Sequence, residues 1–304
     1  MKRKVIQIAN STQLVSLPRH WSKRLNIRKG AELEVTEQGD KIVIAADREP
    51  QASRIELQAS GSDLPVLRSV IAVYRAGYDE VSISFDHPGA VKDLPEQMND
   101  LLPGYEVLQH TADTIQIRDI GHEMPTEFDA VLRRIFMVGR SIAESTFEML
   151  EAYDENRLRQ VISLEMTNNR LCNYCERLLG KQGYRQFDKT VFMYVIVWEM
   201  EKIADQYKYL IYFFSEHKKV AVSKETRKLF RDVILLFDLF YQVFYKFDRK
   251  QVAEIVEMRK DLIAKALAMM AKTKDNHEVR VIHHLITITQ MTYNLLNCYL
   301  SVHY

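Results

Sequence analysis

The apolar residues of the chain fall into two regimes. Up to about Ile120 they come in short runs, with strand-like segments alternating with brief helical ones. Beyond Pro125 they are spread through long stretches rich in Leu, Glu, Lys, Met and Ala. All seven prolines lie at or before Pro125, and after it the only glycines are Gly139, Gly180 and Gly183. A stretch so poor in breakers reads as helix. A domain boundary is therefore expected near Ile120–Pro125.

Residues 1–50 read as strand, helix, strand, strand. Strand-like residues occupy Lys4–Ala9 and Gln13–Ser16. Ser16 is placed to cap a short helix through HWSKRLNI, with Pro18 in its first turn, where a missing N–H costs little. Gly30 follows as a turn, and Glu32–Thr36 and Lys41–Ala46 flank the hairpin signal EQGD. So small a unit buries little core alone, and dimerisation is the expected remedy.

Residues 51–122 read as β-α-β-α-β-β, an α/β module. Its expected strands are Arg54–Gln58, Glu80–Phe85, Tyr105–Gln109 and Thr114–Arg118. Its expected helices are Leu64–Ala76 and Leu94–Leu102. Each helix opens on Asp-Leu-Pro, a good N-cap followed by a proline in the first turn. The module has no glycine-rich phosphate loop and no nucleophile elbow.

Capping signals divide residues 123–304 into six helices. Thr126 with Asp129, Asp154, Asp188, Ser223, Asp248 with Gln251, and Asp275 or Asn276 mark the starts, and Gly180 and Glu216 lie near two of the ends. The layout predicts two successive three-helix units, an internal duplication.

Composition refines this reading without redirecting it. The chain has 304 residues, 47% hydrophobic and 27% charged, enough for several domains with a sizeable core. Its formal net charge of +1 excludes a whole-chain argument for nucleic-acid binding, so any such argument rests on a local patch. No apolar run approaches the roughly 18 residues that cross a bilayer, and TVFMYVIVWEMEK is broken by Glu199 and Glu201. A cytoplasmic location is expected. Cys172, Cys175 and Cys298 form no disulfide framework.

Acidic spacing carries the candidate chemistry. Glu201 and Asp205 stand at i and i+4, on one face of a helix, and Glu257 and Asp261 repeat this in the second unit. Glu165 and Asn169 have the same spacing with one amide, and Gln290 and Asn294 have two. Oxygen donors so arranged suit hard or borderline cations, although one helix supplies only two ligands. The competing reading is a solvated acidic face.

The run Trp198–Leu210, WEMEKIADQYKYL, resembles the signature of the PhoU family of phosphate-uptake regulators in Met200, Glu201, Lys202, Ile203, Ala204 and Asp205. The resemblance covers residues 125–304 and implies tandem three-helix bundles with one E-x-x-x-D motif in each. It also implies a divalent or trivalent metal ion, such as iron, zinc, magnesium or manganese. The ligands carried over are Glu165, Asn169, Glu201, Asp205, Glu257 and Asp261. Asn169, Gln290 and Asn294 depart from the acidic pattern.

VSLPRHWSKRLNIRKGAELEV resembles the AbrB/SpoVT swapped-hairpin domains in Leu17-Pro18, Leu25, Ile27, Lys29-Gly30 and Leu33–Val35. That resemblance implies an intertwined homodimer and DNA contacts from Lys2, Arg3, Lys4, Arg19, Lys23 and Arg24, which would neutralise phosphates and release counterions. Thr12-Gln13 stands where such domains often carry glycine and a basic residue. The bland reading is a dimerisation module with a solvated basic face.

Three further features read as structural. Cys172-Asn-Tyr-Cys175 has no second C-x-x-C. His283-His284 has no acidic partner at ligand spacing. Phe237, Phe240, Tyr241, Phe244 and Tyr245 follow helical spacing, as core does.

The expected architecture is a swapped-hairpin β domain, an α/β module and a C-terminal all-α domain of tandem three-helix bundles. The expected function is regulation of phosphate uptake by binding rather than catalysis, through DNA or through a component of a phosphate ABC transporter. The alternatives are a transporter adaptor that does not bind DNA, and a metal protein with hydrolytic or storage activity.

Overall fold

In the computed structural model the described residues are 2–8, 11–38, 41–46, 52–59, 63–121, 127–218 and 220–304. They form two compact units, Met1–Gln51 and Ala52–Tyr304. The α/β region and the helices, which the sequence separates near 120–125, thus share one unit.

In the first unit β1 (Val5–Ile8) pairs antiparallel with β2 (Thr12–Val15), and β3 (Leu33–Gln38) pairs antiparallel with β4 (Lys41–Ala46). Two strands, rather than one, precede the helix α1 (Arg19–Arg24). Pro18 occupies its N-cap and no side chain caps it, so Ser16 does not have the expected role. The helix also stops short of Ile27. Asn26 adopts a left-handed φ of 48° and Gly30 one of 84°, which turns the chain toward β3. The β3–β4 tip, Gly39-Asp40, lies outside the described residues.

The second unit opens with β5 (Arg54–Ala59), α2 (Asp63–Arg75), β6 (Glu80–Phe85), α3 (Leu94–Leu101), β7 (Tyr105–His110) and β8 (Thr114–Asp119). The sheet order is β5-β6-β8-β7, parallel between β5 and β6 and antiparallel elsewhere. Strict alternation builds it. Val81, Ile83, Phe85, Ile115 and Ile117 are buried with Val70, Tyr74, Leu94 and Met98 of the helices. On the opposite face Glu80 pairs with Arg54 at 2.6 Å and with Arg118 at 2.9 Å. Asp93 sits at the α3 N-cap but accepts no capping bond, and the Asp63 side chain lies outside what is described.

Six long helices follow: α4 (Phe128–Glu151), α5 (Glu155–Gln182), α6 (Thr190–Glu216), α7 (Lys224–Tyr245), α8 (Arg249–Lys272) and α9 (Asn276–His303). Four expected caps form. Asp154, Ser223, Asp248 and Asp275 accept from the N–H groups of Asn156, Thr226, Lys250 and His277 at 2.7–3.2 Å. Asp188 instead falls in a 3-10 turn, Phe187–Lys189, and α6 starts without a side-chain cap. Gln251 donates to Gln242 at 3.1 Å, so no reciprocal box forms with Asp248. Thr126 lies outside the described residues.

Helices α4, α5 and α6 pack mutually, as do α7, α8 and α9, and α6–α9 and α4–α7 contacts join the two sets. The aromatic series on α7 is core, with Phe136 of α4 within 5.4 Å of Tyr241 and 5.2 Å of Phe244.

Helix α5 also forms the floor of the α/β module, contacting both α2 and α3. Gly180 lies near the end of this helix, as its position suggested. It lies inside α5, and the helix ends at Gly183, whose φ is 73°. A Cβ at Gly180 would collide with the Arg75 carbonyl, so the missing side chain is what lets the end of α2 rest on α5. One turn earlier Arg177 is fully buried. Its Nη1 donates to the carbonyls of Tyr74 at 2.9 Å and Tyr78 at 2.7 Å, and its Nη2 to Asp119 Oδ2 at 2.6 Å. Its guanidinium lies 4.8 Å from the centroid of the Tyr74 ring and 5.2 Å from that of Tyr105. Lys181 reaches Asp79 at 2.7 Å beside it.

Candidate functional sites

The two ribbons of the first unit explain its exposure. In β1–β2 one face pairs Val5 with Val15 and the other Ile6 with Leu14. In β3–β4 one face pairs Val35 with Ile44, with Leu33 and Ile42 beside them, and Glu34 and Lys41 lie on the other with Val43. The first ribbon thus carries apolar residues on both faces and the second on one, and none of the unit's described side chains is buried. Ile42 stays 69% and Val35 62% exposed in a single copy, far from what such residues adopt in a finished core.

The six predicted DNA-contact residues are all exposed. Lys2, Arg3 and Lys4 lead into β1. Arg19 and Lys23 stand one turn apart on α1, with Arg24 adjoining. No acidic residue precedes Glu32, so these cations, with Arg28 and Lys29, meet no local carboxylate in sequence. Exposed cations without a neighbouring carboxylate in sequence are suited to phosphate oxygens.

The predicted metal ligands divide into two groups. Glu165 and Asn169 of α5 and Glu201 and Asp205 of α6 come together across one seam. Asn169 Nδ2 donates to Glu165 Oε1 at 2.8 Å. Lys208 Nζ donates to the same Glu165 oxygen at 2.6 Å and to Asp205 Oδ1 at 2.5 Å. Lys202 Nζ lies 2.6 Å from Glu201 Oε2 and 3.2 Å from Asp205 Oδ2. Burial opposes the charge on Lys208, but the two carboxylates outweigh it and hold its ammonium above the usual lysine range. Glu257 and Asp261 do not join this seam. Both are exposed on α8, and Glu257 pairs only with Lys260, at 2.7 Å. Arg259 of that helix, partly buried, reaches α9, where its Nη2 donates to Gln290 Oε1 at 2.5 Å. Gln290 donates to Asn294 at 3.2 Å, and Asn294 to Glu199 at 3.1 Å. Among the described residues no three His, Cys, Asp or Glu side chains gather as a metal site.

Farther along α5, Glu176 is wholly buried. Arg75 Nε lies 2.6 Å from its Oε2 but directs its N–H to Asn173 Oδ1 at 2.8 Å. Burial, with the nearby Glu201 adding to it, pushes the Glu176 carboxyl up to about 7 against the pull of Arg75. Cys172 and Cys175 are buried beside it, and burial raises both thiols, so neither is a ready thiolate. His284 bonds Gln206 at 2.9 Å, and burial lowers it to about 4, while His283 is exposed.

Arg177 and Glu176 were not legible as special, because nothing in helical spacing separates a buried charged residue from an exposed one. Lys202 and Lys208 did carry a signal. They flank Asp205 at three residues on either side, within reach on a helix.

Residues 6–55 match the protein-family model described as antidote-toxin recognition MazE, bacterial antitoxin. The N-terminal segment is therefore a MazE/AbrB-like domain, followed by an α/β region and a helical region. No curated protein and no solved structure matches the chain. No helix among the described residues is long and apolar enough to cross a membrane.

Proposed function

We propose that the protein is a DNA-binding regulator whose N-terminal domain acts as an intertwined dimer. The observation that carries this reading is the first unit itself. Its two ribbons carry apolar residues that one copy leaves unburied, and its leading cations have no acid before Glu32. A second copy would cover the apolar faces and double the basic surface. The mechanism is binding; the buried, protonated thiols of Cys172 and Cys175 support that over nucleophilic chemistry.

The test is a polarisation titration of the full chain against DNA upstream of its own gene at several salt concentrations. The logarithm of affinity should fall linearly with the logarithm of salt, with a slope of about −0.9 per phosphate neutralised. Replacing Lys23 by Ala removes one cation per copy and should make the slope shallower by roughly one to two. No binding, or binding indifferent to salt, would sink the reading.

The family description favours a second reading, antidote-like capture of a partner protein by the same domain. Growth arrest by a neighbouring gene's product, relieved by this chain, would distinguish it from DNA binding alone.

The finer reading is that the helical region supplies phosphate-dependent control. It is supported by the resemblance of Trp198–Leu210 to the PhoU signature and by the two mutually packed helix triplets. Deleting the gene should then derepress phosphate uptake in phosphate-replete medium. Unchanged uptake would leave the DNA-binding reading standing without that assignment.

A further inference from the structure

The α5–α6 seam brings together the oxygen donors expected of a metal centre, yet cations of the chain's own already lie between them. Lys208 Nζ bridges Glu165 and Asp205 at 2.6 and 2.5 Å, and Lys202 Nζ bridges Glu201 and Asp205 at 2.6 and 3.2 Å. Each Asp205 oxygen therefore serves a different ammonium. A metal ion bound by Glu165 and Asp205 together would have to sit where Lys208 Nζ sits, and two cations at that spacing repel strongly in a half-buried seam. The residues present do not fit an added metal ion. In the second triplet another built-in cation, Arg259, engages the corresponding amide pair through Gln290 at 2.5 Å. There the facing pair is neutral, and the nearby carboxylate of Glu199 accepts from Asn294 at 3.1 Å.

We propose that Lys208 and Lys202 are the permanent cations of this seam, Lys208 closing α5 onto α6 and Lys202 holding Glu201 and Asp205 together along α6, without a metal ion. The Lys208 ammonium does what a bridging metal would do, joining carboxylates of two helices, but both ammonium groups are covalently tethered and cannot be removed by a chelator. The inference is independent of DNA binding.

Manganese is the probe, read by electron paramagnetic resonance on the full-length protein. Wild-type protein should bind no Mn²⁺ that depends on Glu165, so Glu165→Gln should leave its bound fraction unchanged. Lys208→Met should vacate the position and raise Mn²⁺ affinity at least about tenfold, by a gain that Glu165→Gln abolishes. Thermal unfolding gives a second readout. Lys208→Met alone should lower Tm, and adding Glu165→Gln should recover part of the loss, because the orphaned carboxylate is removed. That double variant removes one charge of each sign, leaves Asp205 its Lys202 partner, and remains testable where Lys208→Met fails to fold. Three results overturn the proposal: wild-type Mn²⁺ binding lost on Glu165→Gln, no gain in Lys208→Met, or a Tm that Lys208→Met leaves unchanged or raises.

Discussion

Replacing Arg177 by Met should loosen the α/β module from the helices. The methionine fills much of the same volume, so the change chiefly removes charge and hydrogen bonds. The losses are unequal. The Tyr74 carbonyl still accepts from Gly77 N–H at 2.9 Å, and the Tyr78 carbonyl from the Tyr105 hydroxyl at 2.7 Å, so neither is orphaned. Asp119 fares worse. Its side chain is 5% exposed, and beyond Arg177 it keeps Gly121 N–H at 2.9 Å and a distant Lys181 at 3.8 Å. Breaking a buried pair from one side costs about 3–5 kcal/mol. The residual partners place Arg177→Met near the lower figure, about 3 kcal/mol. Adding Asp119→Asn removes the stranded charge, so the double variant should recover about 1–2 kcal/mol rather than lose more. Urea unfolding followed by Trp198 fluorescence in a Trp21→Phe background reads this directly. Trp198 lies 5.5 Å from the Arg75 guanidinium, beside the same interface. A loss below about 1 kcal/mol for Arg177→Met, or strict additivity in the double variant, would refute the reasoning.

Three further outcomes follow from the same unit. Gly180→Ala should cost about 1–3 kcal/mol in thermal unfolding, since the new Cβ meets backbone at Arg75 rather than a side chain that can move. Glu176 binds its proton more tightly folded, at about 7, than unfolded, at about 4.5. Its stabilisation is therefore full below pH 4.5 and is lost as pH rises to 7, by about 3 kcal/mol, and Glu176→Gln should flatten that slope in urea titrations at stepped pH. Glu278 behaves oppositely. Burial disfavours its charge, but hydrogen bonds from Ser223, Thr226 and Thr273 prevail and hold its carboxyl down at about 2. Its stabilisation is present above about pH 4.5 and disappears as pH falls toward 2, and Glu278→Gln should cost about 1–3 kcal/mol at neutral pH by circular dichroism.

Local signals were read well where local physics decides. Asp154, Ser223, Asp248 and Asp275 cap the helices they precede, because a cap needs only its own backbone neighbours. The sheet strands were legible from alternation for the same reason. Gly180 lies near the end of α5 as expected, but a helix-ending glycine and a glycine kept small for a neighbour look alike in sequence. Only the approach of Arg75 from another element separates them. The acid pairs show the same limit. Spacing placed Glu201 with Asp205 and Glu257 with Asp261 on equal terms, yet one pair faces a seam and the other faces water. Which face is turned inward depends on α8's rotation about its axis, set by Ile255, Leu262 and Ala266 together rather than by any one pair.

The buried arginine also fixes an order of events. Its hydrogen bonds to Tyr74 and Tyr78 reach back 103 and 99 residues. During synthesis the chain emerges from its N-terminal end, so every strand of the four-stranded sheet is made before Arg177 exists. Until α5 arrives, Asp119 keeps the local Gly121 N–H but lacks its arginine. The helices are thus added onto a module already made, and a ribosome-held chain ending before residue 177 would present that acid as a vacant socket.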